Sequence, residues 1–86
     1  MEIDFRKVPV FDIEGKPKET DLSKPVGNLI YELTGDIGEM DIARDIYHKG
    51  IVSLDDENLR SVREIIRGSK IRAYLKLALL EYLKPE

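Results

Sequence analysis

The stretch Ile71–Leu83, IRAYLKLALLEYL, decides how the rest of the chain must fold: ten of its thirteen residues are apolar, and only Arg72, Lys76 and Glu81 carry charge. At a helical step of roughly 100° per residue, Arg72 and Lys76 lie within roughly 40° of each other and Glu81 on the opposite side. Arg72 and Lys76 thus begin a solvent stripe. Continued toward the C-terminus, that stripe meets Leu79, Leu80 and Leu83, so the second half of the helix offers water no wide polar face. A helix apolar nearly all round is a buried one, which predicts that these leucines are covered by the rest of the chain or by a second copy of it. With Tyr82 they form the candidate self-association surface. A membrane span needs roughly twenty apolar residues, and three charges interrupt this run.

What can pack around this helix follows from the segments before it. Apolar residues roughly alternate with polar ones through Ile3, Phe5, Val8, Val10, Phe11 and Ile13, with Pro9 as an interruption, which reads as an edge strand. Glu14-Gly15-Lys16-Pro17 supplies a tight turn, and Lys18–Leu22 returns as the second strand of a hairpin. Ser23-Lys24-Pro25 opens a first helix, because proline suits the first helical position and disfavours helical geometry in the residue before it. Its inner stripe is Val26, Leu29, Ile30 and Leu33, and Gly35 stops it. Asp36 caps a second helix over about Gly38–Lys49, with Ile42, Ala43, Ile46 and Tyr47 inward and Gly50 ending it. Ile51–Leu54 is a short extended segment that could join the hairpin as a third strand. Asp55 is the N-cap of a third helix, with Asp56 and Glu57 where the helix dipole favours negative charge. Leu59, Val62 and Ile66 form its inner stripe, Gly68 closes it, and Ser69 can cap the last helix. The fold class predicted is α+β: an N-terminal hairpin in residues 1–22 packed on three or four helices in 23–83, with the last helix central.

Eighty-six residues make one domain, 1–86, which hides about 60–65% of its unfolded surface. There are no cysteines, so disulfides and thiolate metal sites are excluded and a reducing compartment fits. The first ten residues carry Glu2, Asp4, Arg6 and Lys7 without an apolar core, unlike a signal peptide. A cytoplasmic location is the expectation. The net charge of −3 is unevenly spread: residues 1–57 sum to −7 and residues 58–86 to +4. Such a layout favours attraction between the halves, within one molecule or between neighbours, and disfavours nonspecific nucleic-acid binding by the whole domain.

Arg60, Arg63 and Arg67 recur at i, i+3, i+7 on one face of the third helix, with Lys70 and Arg72 just beyond. Helix, turn and helix lined with arginines can bind phosphates, and this basic face is the alternative, nucleic-acid-binding reading. The plainer reading is a solvated face whose arginines pair with Glu64 or with acids of the front half. No aromatic residue is interleaved with these arginines, which weakens single-strand binding further. Asp41, Asp45 and His48 share one face of the second helix. A histidine in the last turn is stabilised by the dipole without a metal, and Arg44 stands beside the carboxylates, so no metal is assigned. Asp55-Asp56-Glu57 lacks the alternation and glycine of a calcium loop. Tyr31, Tyr47, Tyr74 and Tyr82 are expected to border one core or dimer surface. Gly27, costly inside a helix, marks a close backbone approach by another element.

LSKPVGNLIY, MDIARDIYHKGIVSL and KLALLEYLK together resemble small proteins encoded by phages and prophages. The features shared are an N-terminal strand with a glycine-containing turn, a helix carrying Asn28, Ile30 and Tyr31, and a second helix ending Ile46-Tyr47-x-x-Gly50. The resemblance implies a viral or prophage origin and a role in assembly or as an accessory protein, and it transfers no functional residues. An enzyme is not expected, since there is no cysteine nucleophile, no glycine-rich phosphate loop and a single histidine without a neighbouring serine pattern. No cofactor is assigned. The function predicted is a protein–protein interaction module that associates with itself, as a dimer or higher, or with another protein.

Overall fold

Phe5 and Val8 are both wholly buried, although three residues apart on one strand they would face opposite sides. The chain resolves this by turning between them. In the computed structural model, which describes residues 1–84, the expected single strand is therefore two, β1 (Glu2–Asp4) and β2 (Val8–Phe11). The Asp4 carboxylate fixes the turn by accepting the Arg6 backbone N–H at 2.9 Å and its guanidinium at 3.0 and 3.1 Å. The chain continues through β3 (Pro17–Thr20), α1 (Ser23–Leu33), α2 (Ile37–Lys49), β4 (Ile51–Ser53), α3 (Asp56–Arg67) and α4 (Ala73–Tyr82). The class is α+β, with N-terminal strands preceding the helices. Residues 85–86 of the expected domain lie outside the described residues.

β2 and β3 form the expected antiparallel hairpin, Val8 opposite Thr20 and Phe11 opposite Pro17. Asp12 N–H donates to the Lys16 carbonyl at 3.1 Å. Since hydrogen-bonded pairs alternate, Val10 and Val8 then bond across the ladder and Pro9 points its missing N–H away from it. β4 does not extend this hairpin. It pairs antiparallel with β1, Ile3 opposite Val52, as a second two-stranded sheet, because the turn at Arg6 frees residues 2–4 from the hairpin. The Phe5 N–H donates to the Gly50 carbonyl at 2.7 Å and prolongs that ladder. Gly50 ends α2 with φ +77°, a left-handed conformation that glycine adopts without strain.

Asp36 and Asp55 cap α2 and α3 as expected, accepting the Gly38 and Asn58 N–H groups at 2.9 and 2.7 Å. Two expected caps differ. α1 begins at Ser23 rather than Pro25, and the side chain that closes its first turn is Asp21, which accepts the Ser23 N–H at 3.0 Å and the Ser23 hydroxyl at 2.6 Å. Pro25 sits inside that turn, where its missing N–H had no helical partner to lose. Ser69 does not cap α4. Its hydroxyl donates to the Ile66 carbonyl at 2.6 Å, and α4 starts only at Ala73.

Hydrogen bonds to the Ser23 hydroxyl and N–H hold the Asp21 carboxyl below the usual carboxylate range, and the Arg6 guanidinium does the same for Asp4. A carboxylate whose folded pKa is depressed stabilises the fold above its unfolded pKa, and that contribution is lost as pH falls through the folded value. Melting temperature is therefore expected to drop on acidification below about pH 4. In Asp4→Asn/Asp21→Asn the drop should be shallower; an unchanged slope would show that these two groups do not set the acid limit.

The core gathers Phe5, Val8, Val26, Ile30, Ile46, Leu54, Val62, Ile66, Leu79 and Leu83, all of them wholly buried. α4 lies against β2 and α3. Its last turn is tied to β1 by the Tyr82 hydroxyl, which donates to the Asp4 carbonyl at 2.8 Å. Lys76, expected in a solvent stripe, is half-buried and donates to the Ser69 carbonyl at 2.7 Å, closing the α3–α4 turn.

Candidate interaction surface

Leu79 and Leu83 are wholly buried within the chain, and Leu80 and Tyr82 are half-buried against the core. Leu79 and Leu83 are therefore not free to meet a partner, while Leu80 and Tyr82 keep part of their surface in solvent. The solvated apolar face of α4 is a different one. Tyr74 is 52% exposed and Leu77 64%, and on the hairpin end beside them Phe11 is 50% exposed and Ile13 fully solvated. Phe11 points outward because the alternation that buries Val8 and Val10 leaves it on the other face. Ile13 lies in the turn. These four side chains, with Asp12, Ala78 and Glu81, line a groove of about 640 Å³ between hairpin and helix.

The signal for this face was present at Glu81. Tyr74, Leu77 and Glu81 stand at i, i+3, i+7. The solvent side of α4 is therefore the Glu81 side and not the Arg72–Lys76 side, a choice that a helix apolar nearly all round leaves open until its neighbours are placed.

The basic residues of the alternative reading flank the α3–α4 connection. Arg60, Arg67, Lys70 and Arg72 are exposed and Arg63 is half-buried, its Nε buried without a hydrogen-bond partner. Arg67 pairs with Glu64 at 2.8 Å. Among the described residues no carboxylate pairs with Arg60, Arg63, Lys70 or Arg72, and every ion pair joins residues at most four apart in sequence. The acidic front and basic back of the chain are therefore not neutralised against each other by direct contact.

On α2, Asp41 pairs with Arg44 at 3.0 Å and Asp45 with Lys49 at 3.5 Å, while the His48 ring stands edge-on to Tyr47 with centroids 5.0 Å apart. Both carboxylates are thus engaged by cations of their own helix. The four tyrosines do not share one surface. Tyr31 and Tyr47 border a cleft of about 190 Å³ between α1 and α2, where Arg44 lies 5.5 Å from the Tyr31 ring; Tyr74 is on the α4 face, and Tyr82 is tied to β1. No described helix is long and apolar enough to cross a membrane. Comparison with protein-family models, with curated proteins and with solved structures finds no match to this chain.

Proposed function

We propose that the chain is a non-enzymatic protein–protein interaction module that associates with itself through the face formed by Phe11, Ile13, Tyr74 and Leu77. One observation carries this reading: four large apolar side chains, from β2, the turn after it and α4, are solvated together around one groove. Contiguous apolar surface rimmed by polar residues marks interaction sites, and aromatic side chains supply much of the energy where such faces meet. The resemblance of the α1, α2 and α4 segments to small phage and prophage proteins supports the narrower role of an assembly or accessory protein, and the lack of cysteines fits work in the cytoplasm.

Light scattering tests the reading. The wild-type chain should show a mass above 9.9 kDa that rises with concentration, and Leu77→Glu should return it to 9.9 kDa with helical content unchanged, because Leu77 is solvated and outside the core. A wild-type mass of 9.9 kDa at millimolar concentration would refute it.

A further inference from the structure

Resting on that reading, we infer that the face of Phe11, Ile13, Tyr74 and Leu77 docks head-to-tail into a second groove on another copy of the chain, between α1 and the α3–α4 connection. The charges decide against two-fold pairing of the face with itself. The charged residues lining its groove are Asp12 and Glu81, both acidic. Apposing two such grooves about a two-fold axis would bring four carboxylates together, and like charges across an interface disfavour it. The occupant should instead offer apolar surface beside positive charge.

The chain carries such a surface elsewhere. Pro25, Leu29, Leu33 and Ile71 line a groove of about 520 Å³ whose wall includes Lys70. Leu33 is 52% exposed. Arg72 adjoins this wall in sequence, and neither it nor Lys70 has a carboxylate partner among the described residues, whereas Arg67 is paired with Glu64 at 2.8 Å. Glu32 is the single acid that lines it. The uneven charge of the chain, −7 before residue 58 and +4 after it, then serves attraction between neighbouring copies rather than within one. Because the two grooves differ, each copy keeps one free face after docking, and the contact propagates into a ring or a filament rather than stopping at a pair.

Two variants on solvated residues separate the faces: Ile13→Glu removes the donor and Leu33→Glu the acceptor. Each alone should give 9.9 kDa by light scattering at concentrations where the wild type exceeds the mass of a dimer. Mixed in equal amounts they should recover a mass near twice that of one chain, since one intact interface can form between them and no more. High salt should lower the wild-type mass. A mixture that remains monomeric, or Leu33→Glu with the wild-type mass while Ile13→Glu is monomeric, would overturn head-to-tail docking and leave association through the apolar face standing. A monomeric wild type would remove both.

Discussion

Leu79→Arg is expected to abolish the native fold, not to release a folded monomer. Leu79 is wholly buried, in a core it shares with Leu83, Ile66 and Val62. Truncating such a leucine to alanine costs about 2–5 kcal/mol, and a chain of 86 residues has about 4–13 kcal/mol to lose. Arginine adds the cost of an unpaired charge in an apolar site, several kcal/mol more. Circular dichroism should show loss of helix at 25 °C for Leu79→Arg. Leu79→Ala should remain folded with a urea midpoint lowered by more than about 1 M, taking a slope of about 1–2 kcal/mol/M for a domain of this size. A cooperative melt and full helicity in Leu79→Arg would show that α4 is not central. Leu77→Glu, two residues away on the solvated side, should leave the melt nearly unchanged, so the pair reads out which side of α4 faces in.

Gly27→Val should be nearly as severe. A Cβ at this position would lie 2.8 Å from the Tyr47 Cβ, 2.9 Å from the Ala43 carbonyl oxygen and 3.1 Å from the Tyr47 Cα. These are atoms of the α2 backbone or directly attached to it, so relief requires α1 and α2 to move apart. In an exposed helix alanine for glycine would gain about 1 kcal/mol; here Gly27→Ala is expected to lose about 1–3 kcal/mol by overpacking, and valine more. Urea denaturation of the series Gly, Ala, Val should fall monotonically. A more stable Gly27→Ala would show that the helices have room to separate.

Gly27 was legible in the sequence: glycine is costly inside a helix unless something passes close, and Tyr47 and Ala43 pass close. The helices were legible for the same kind of reason. Asp36, Asp55 and Gly50 are local devices whose effect does not depend on what packs later. The division of β1 from β2 was legible too, in the shift of buried positions from odd (Ile3, Phe5) to even (Val8, Val10), but a single alternating strand spans it if the parity is overlooked. Pairing of β4 with β1 was not, since strand partners are chosen by the whole topology. The candidate surface was half legible. The apolar character of Ile71–Leu83 announced more hydrophobic surface than one face of a core needs, while the identity of the spare side depended on the placement of β2 and α3. The excess proved to be Tyr74 and Leu77, with Leu79 and Leu83 taken by the core.

The most direct test of the interaction face is a dilution series followed by two-dimensional amide NMR. If the chain associates through the groove between hairpin and α4, the amides of Phe11–Ile13 and Tyr74–Leu77 should shift with concentration together, and Leu77→Glu should hold them at their dilute positions. Amides that do not move from micromolar to millimolar concentration, or that move while those of Phe11–Ile13 and Tyr74–Leu77 stay fixed, would contradict it.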